Sequence, residues 1–267
     1  MTFCVAKAKA YLCNSISKIK STLFLDNIKE ISMKIALLGY GKMGKEIEKI
    51  ALDRGHEISL KINANNIASL TADQLKQSDV AIEFSTPETA YNNIQKCFEA
   101  QIPVVVGTTG WLDKLPVCIK QCQQENKGLF YASNFSVGVN VFFEINKKLA
   151  QLMANYPDYN VEMEEIHHTQ KLDAPSGTAI SLANDIIKNS DYTNWSLTKD
   201  TTNLYIDAKR IENVPGTHTV VYNNDIDELY IRHTAHNRKG FALGAVLAGE
   251  FMHQKSGYYG MKDLLGL

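Results

Sequence analysis

The 267-residue sequence has no run of about 18 consecutive apolar residues, which argues against a membrane-spanning helix of ordinary length. Surplus basic charge is also missing. With 28 Lys and Arg against 29 Asp and Glu, the net charge of −1 gives no electrostatic drive toward nucleic acid or anionic membrane. Cysteine is sparse: the five residues, at positions 4, 13, 97, 118 and 122, form no C-x-x-C pair. An odd, scattered set argues against a disulfide framework. Cys118 and Cys122 are spaced as helical neighbours, but two thiols alone make a poor metal site. Reduced cysteines in a cytoplasmic protein are the expectation. There are no internal repeats and no low-complexity tracts. What is present is a 45% hydrophobic composition, enough for a core in one large domain or two small ones.

Residues 1–32 fit poorly with the rest of the chain. They carry Lys7, Lys9, Lys18 and Lys20 and no acid before Asp26. A basic start can signal targeting, yet this one has no Arg, no long apolar stretch and no clear small-residue cleavage site. It is expected to be an extension outside the fold, with Met33 as the first residue of the folded protein.

Met33–Leu38 reads as a short apolar strand. Gly39-Tyr40-Gly41-Lys42-Met43-Gly44 comes next, and then Met43, Ile47, Ile50 and Ala51 recur at helical spacing. A G-x-G-x-x-G turn between strand and helix is the context a dinucleotide needs: the glycines allow a tight turn, close approach of pyrophosphate and helix–strand packing. The bland alternative is a tight turn with no ligand. The second strand, Glu57–Asn63, ends on Lys61 and Asn63 where an acid would grip the ribose of NAD. Without that carboxylate a 2′-phosphate is not repelled, so NADPH is at least as plausible as NADH. Lys61 is equally compatible with a solvated surface charge, and His56 reads as a turn residue.

The alternation continues with strands at Asp79–Phe84, Pro103–Val106 and Gly128–Ala132. Helices start at Thr86-Pro87 and Asp113. This pattern implies a Rossmann-type, doubly wound parallel sheet, with its ligand crevice at the carboxyl ends of the strands. The loops Ser85–Glu88, Gly107–Gly110 and Ala132–Phe135 fall at those ends. A long helix is expected from Asn134–Val139 to about Tyr156. Beyond it the pattern changes to short alternating strands near Leu204–Ile211, Thr217–Tyr222 and Ile226–Thr234, separated from Tyr159–His168 by a loop-rich stretch at 189–203. That implies a second α+β domain with a mixed or antiparallel sheet. The division expected is 33–134 with 239–267 for the dinucleotide-binding domain and 135–238 for the second domain, to which the family resemblance given below assigns substrate binding and oligomerisation. The apolar helix Phe241–His253 returns to the first.

The chemistry concentrates in Val161–Ala183, VEMEEIHHTQKLDAPSGTAISLA. If Val161–His168 is a strand, His167 shares a face with Val161, Met163 and Glu165, and His168 points the other way. Ser176 is a good N-cap, so a fresh helix N-terminus with free N–H groups stands just beyond Lys171. Metal binding is disfavoured because adjacent histidines on a strand diverge. Two satisfied strand-end histidines would explain neither Lys171 nor the Ser-Gly-Thr start. Acid–base chemistry beside an anionic substrate explains all of it.

His167-His168-Thr169-Gln170-Lys171-Leu172-Asp173-Ala174-Pro175-Ser176-Gly177-Thr178-Ala179 resembles the signature of the 4-hydroxy-tetrahydrodipicolinate reductase (dihydrodipicolinate reductase) family. The likeness extends, in family order, to Gly39–Gly44, Gly107–Gly110 and Asn134–Asn140, and so covers the chain from Met33 to the C-terminus. The resemblance implies NADH- or NADPH-dependent reduction of a cyclic dicarboxylate in lysine and diaminopimelate synthesis. It implies His167 and Lys171 as the catalytic pair, leaving open which delivers the proton, and His168, Ser176, Gly177 and Thr178 as substrate contacts. The coenzyme would meet Gly39, Tyr40, Gly41, Lys42, Met43, Gly44, Asn63, Gly107, Thr108, Thr109, Ala132, Ser133, Asn134 and Phe135. Arg238 is a weaker assignment, to coenzyme phosphate or a domain contact. Glu164 and Glu165 become supporting or surface residues. No resident metal is implied; a cytoplasmic homotetramer is.

Three departures matter. Asn63 and Ala64 stand where many members have an acid or a basic residue, so coenzyme preference is not inherited. Thr169-Gln170 replaces basic residues found in several members after the histidines. The glycine loop is one residue tighter than in some. The rivals are a non-catalytic dinucleotide sensor, which would have no use for the histidine–lysine cluster, and a related reductase acting on another dicarboxylate.

Overall fold

A computed structural model describes residues 32–267. The expected extension, with Cys4 and Cys13, falls at 1–31, outside the described residues, apart from its last residue, Ser32.

Two sheets organise the chain. The first has six strands: β1 (Lys34–Leu38), β2 (Glu57–Ile62), β3 (Val80–Glu83), β4 (Val104–Val106), β5 (Gly128–Tyr131) and β11 (Gly257–Tyr259). They are all parallel, in the order β11-β5-β4-β3-β1-β2. Central strands such as β3 and β4 are buried along their whole length, which is why they read as unbroken apolar runs rather than alternating ones. The helices on its faces are α1 (Lys42–Asp53), the short α2 (Ala72–Leu75), α3 (Pro87–Glu99) and α4 (Leu115–Glu125). Thr86 and Pro87 start α3 as the sequence suggested.

The second sheet holds β6 (Asn160–His167), β7 (Asn194–Ser196), β8 (Asn203–Arg210), β9 (Gly216–Asn223) and β10 (Glu228–Ala235), in the order β10-β9-β6-β8-β7. It is mixed: β9 runs antiparallel to both neighbours, and β6, β8 and β7 are parallel. The stretch 189–203, expected to be loop, thus contributes the short edge strand β7. Helices α5 (Val137–Met153) and α6 (Gly177–Ile187) cover one face, packing Phe142, Leu182 and Ile186 on Met163, Ile206 and Val220. Each such fully buried aliphatic side chain contributes roughly 1.5–3 kcal/mol. The long helix starts at Val137 rather than Asn134, because Ser136 is its N-cap and accepts from Val139 N–H.

The last long helix, α7 (Lys239–Met252), returns to the first sheet, burying Ala242, Ala245 and Met252 with Ile35, Leu37 and Ile82. The five-residue α8 (Met261–Leu265) ends the chain. Glu250 of α7 takes a forked Arg54 pair at 2.6 and 2.8 Å and lies 2.8 Å from His56 Nε2. His56 is therefore more than the turn residue it resembled: it is buried and ties the α1–β2 turn to α7. Among the described residues no helix is long and apolar enough to cross a membrane.

Candidate active site

The glycine turn after β1 is built by crowding on two sides and space on the third. Gly39 has φ +102°, and a Cβ there would sit 2.0 Å from the Phe84 carbonyl oxygen. A Cβ on Gly44 would lie 2.5 Å from the Gly39 carbonyl. Gly41, the N-cap of α1, has nothing within 4 Å of its Cβ position and no side-chain cap. The backbone is thus open where a pyrophosphate must approach, and the first N–H groups of α1, including Lys42 and Met43, have no intrahelical acceptor. These residues fit a dinucleotide. Gly39 and Tyr40 donate to the Ile62 carbonyl, which sets the neighbouring Asn63 beside the loop. Asn63 Oδ1 accepts from Asn65 N–H at 2.8 Å. Lys61 is not a free solvated charge, since it pairs with Glu48 and lies 5.2 Å from the Tyr40 ring centroid.

Phe84, expected only as the end of a buried strand, joins the crevice loops. Its carbonyl crowds Gly39, a Cβ on Gly107 would sit 2.2 Å from its ring, and that ring lies 5.4 Å from Phe135. Thr108 is buried, with Oγ1 accepting from Ser85 N–H at 2.9 Å, whereas Thr109 is exposed. Ala132 and Phe135 are buried, Ser133 is exposed, and Asn134 Oδ1 accepts from Ser136 N–H. Helix α7 touches this segment at backbone distance: a Cβ on Gly244 would lie 1.7 Å from the Phe135 carbonyl oxygen. Glu83, fully buried at the end of β3, is pushed up by its burial while Ser85, Thr108 and Asn93 pull it back.

The second half of the site starts at the end of β6. Burial alternates along that strand, so Val161, Met163, Glu165 and His167 face inward together. Glu165, which the sequence left between supporting and surface roles, is fully buried and central. Its Oε2 lies 3.1 Å from His167 Nδ1, a close contact rather than an aligned hydrogen bond. Oε1 accepts from Arg210 Nη2 at 3.1 Å, and both oxygens accept from Ser176 N–H at 3.1 Å. Burial alone would raise the Glu165 pKa; His167 and the Ser176 hydrogen bonds outweigh it and bring it down to about 2. Glu164 points the other way and pairs with Lys209.

Cross-strand register explains the cluster. His218 of β9 stands opposite Glu165, and Arg210 of β8 stands opposite His167. The His167 and His218 rings meet edge to face at 5.0 Å. His218 is buried, with Nε2 3.0 Å from Ser176 Oγ and no partner for Nδ1 among the described residues. Burial, then the nearby His167, lowers its pKa to about 3. Glu165, His167 and His218 bring potential ligand atoms within 4.8 Å of one another, a trio unlike the adjacent histidines weighed from sequence. Arg210 and Ser176 already occupy its carboxylate, and the guanidinium opposes a cation there.

Ser176 caps α6 by accepting from Ala179 N–H at 3.2 Å. Its own N–H and hydroxyl are engaged, whereas Gly177 has nothing within 4 Å of its Cβ position. The N–H groups of Gly177 and Thr178, in the first turn, have no intrahelical acceptor and remain for an anion. Asn134 Nδ2 reaches Thr178 Oγ1 at 3.5 Å, which brings the 132–135 segment to the start of α6. Lys171 holds a forked pair with Asp173 at 2.9 and 2.8 Å. His168 lines a cleft of ≈ 740 Å³ with Lys42, Lys45, Arg238 and Lys239, four cations between the α1 N-terminus and the end of β6. That cleft brings Lys42, His168 and Arg238 together; His167, Lys171, Gly177 and Thr178 are not among its walls.

Two family profiles match along the chain: dihydrodipicolinate reductase, N-terminus, over residues 33–135, and dihydrodipicolinate reductase, C-terminus, over residues 138–265. This chain belongs to the dihydrodipicolinate reductase family. It is 52% identical over 235 residues to the 4-hydroxy-tetrahydrodipicolinate reductase of Christiangramia forsetii, covering 87% of this chain and 98% of that one. The corresponding reductase of Neisseria gonorrhoeae is 35% identical over 82% of this chain and 84% of its own length. In fold, the chain resembles a dipicolinate-bound dihydrodipicolinate reductase from Paenisporosarcina sp. TG-14, with TM-score 0.70 at 24% identity, covering 87% of this chain and 99% of that one.

Proposed function

We propose that the chain is an NAD(P)H-dependent oxidoreductase that reduces 4-hydroxy-tetrahydrodipicolinate to tetrahydrodipicolinate in the diaminopimelate and lysine pathway. The observation that carries this is local. The segment from Glu165 to Thr178 folds into a carboxylate-backed histidine, a lysine loop and an open helix N-terminus, beside a dinucleotide crevice. A sensor of dinucleotide would need only the crevice.

Residues of the glycine loop, with Asn63, Gly107–Thr109 and the 132–135 segment, would hold the coenzyme, and Arg238, which lines the same cleft as Lys42, would supply positive charge for its phosphates. When bound, the reduced nicotinamide supplies a hydride. The hydroxy substrate loses water to give a conjugated cyclic imine, and after hydride addition the electron-rich product needs one proton. His167 or Lys171 delivers it. The N–H groups of Gly177 and Thr178 hold one substrate carboxylate, with Ser176 supporting them as N-cap; His168 and Lys171 hold the other. For Lys171 to do so it must exchange its Asp173 partner for substrate. Asn63 carries no charge, so both coenzymes are accepted.

The division into a dinucleotide-binding part (33–134 with 239–267) and a substrate-binding part (135–238) accords with the two sheets and the return of α7. A homotetramer assembled through the second sheet is supported by the exposed apolar side chains of Val141, Ile145, Leu152, Leu229 and Tyr230; a cytoplasmic location is proposed with it, from the small-molecule biosynthetic role. Following NAD(P)H absorbance with synthase-generated substrate, with each coenzyme and with other cyclic dicarboxylates, tests the reading. Oxidation that depends on this substrate is expected. Coenzyme binding with no turnover of any dicarboxylate would replace an enzyme with a sensor.

A further inference from the structure

Arg210, at the end of β8, makes contacts that no surface arginine needs. Its Nε donates to the Lys171 carbonyl at 3.3 Å, and its Nη2 donates to the Asp173 carbonyl at 2.5 Å and to Glu165 Oε1 at 3.1 Å. Nη1 is tied back to the Lys209 carbonyl at 2.8 Å. One planar fork therefore grips the backbone on both sides of Leu172 and, at the same time, the buried carboxylate that touches His167. Leu172 itself is 97% exposed, so the lysine loop has almost no apolar anchorage of its own. Among the described residues Arg210 is the one fixed positive charge within ion-pair distance of Glu165, whose other such neighbours are His167 and His218.

We propose that Arg210 and Glu165 form a positioning pair that holds His167 and Lys171 in one frame, so that proton delivery and carboxylate recognition stay in register. This rests on the reading of His167 and Lys171 as the catalytic pair. Neither Arg210 nor Glu165 touches substrate in this scheme. Arg210 fixes the loop carrying Lys171, and Glu165 orients His167 and, through the Ser176 N–H, the start of the anion-holding helix. A lysine at position 210 would keep the charge but not the fork, because an ammonium point charge does not present several donors in one plane.

The test uses the full chain. Arg210→Ala is expected to lower kcat roughly 100-fold, the scale of an ångström-sized misplacement, with coenzyme Kd by fluorescence unchanged within about twofold. Binding of pyridine-2,6-dicarboxylate, followed by calorimetry, should weaken about tenfold, because the Lys171 loop is released. Added guanidinium, at non-denaturing concentration, should restore part of kcat, and methylammonium should not. Arg210→Lys, which retains charge and bulk, should fall roughly tenfold in kcat and covers the case in which the alanine variant does not fold. Glu165→Gln should cost activity in the native background and little more in Arg210→Ala, because the two act as a unit. The proposal is overturned if Arg210→Lys turns over like the native enzyme, if the losses are additive, or if coenzyme binding falls in step with kcat. Were His167→Ala and Lys171→Ala to retain turnover, the underlying reading would fail first. Loss in those two with none at Arg210 sinks only the positioning pair.

Discussion

His218 makes the stability of this protein sensitive to mild acid. Its ring is buried opposite Glu165, Nε2 is committed to Ser176 Oγ, and Nδ1 has no acceptor among the described residues. A second proton would charge a desolvated ring next to His167, which is why its folded pKa lies at about 3. In the unfolded chain a histidine titrates near 6.5. The folded value is the depressed one, so the unfolded state binds the proton first. Stability from His218 is present in full above about pH 6.5 and is lost as pH falls toward 3. Going from about pH 7.5 to about pH 5 should remove about 2 kcal/mol through this one group. Glu165 is silent over that interval, because its folded pKa of about 2 and the ordinary carboxylate range both lie below it. Burial lowers the pKa of His233 too, and its contribution has the same sign. A comparison with His218→Gln cancels that contribution. Urea unfolding at fixed protomer concentration should show the native protein losing about 2 kcal/mol more than the variant over this interval. Parallel profiles would refute the reasoning.

The glycine turn separates folding from binding. Gly41→Ala should fold normally, since its Cβ meets nothing, yet weaken coenzyme binding at least about tenfold by filling the pyrophosphate approach. Gly39→Ala should instead cost more than about 2 kcal/mol in thermal or urea unfolding, because its Cβ strikes the Phe84 carbonyl at a positive φ. Asn63→Asp, a charge placed at the end of β2, should shift the NADPH to NADH ratio of kcat/KM toward NADH; unchanged selectivity would place the ribose elsewhere. Disrupting the Lys171–Asp173 fork with Asp173→Asn should lower the KM for the dicarboxylate, because Lys171 must exchange the aspartate for substrate; a raised KM would contradict that exchange.

Local patterns carried most of the fold. The strand–glycine turn–helix unit, the Thr86-Pro87 start and the Ser176 cap are each decided within a few residues, so spacing and residue type suffice to read them. The alternation along β6 likewise separated His167 from His168 and put Glu165 on the His167 face, although its full burial there was not legible from spacing. What lay beyond reach were partners distant in sequence. Arg210 and Glu165 are 45 residues apart, and His56 meets Glu250 across 194. Such pairs depend on the register of β8 and β9 against β6, or on where α7 docks, and no period in the sequence encodes either. The role of Phe84 is hidden for a related reason: an apolar residue ending a buried strand reads as core, whereas its position against Gly39, Gly107 and Phe135 exists only after the loops have closed around it.

The most direct test of the proposed chemistry is turnover of 4-hydroxy-tetrahydrodipicolinate by His167→Ala and Lys171→Ala, with coenzyme Kd measured on the same preparations. Both variants should keep native coenzyme affinity and lose kcat by at least about 100-fold, the usual contribution of a positioned proton donor. Native turnover in both, or loss of kcat only in proportion to loss of coenzyme binding, would contradict it.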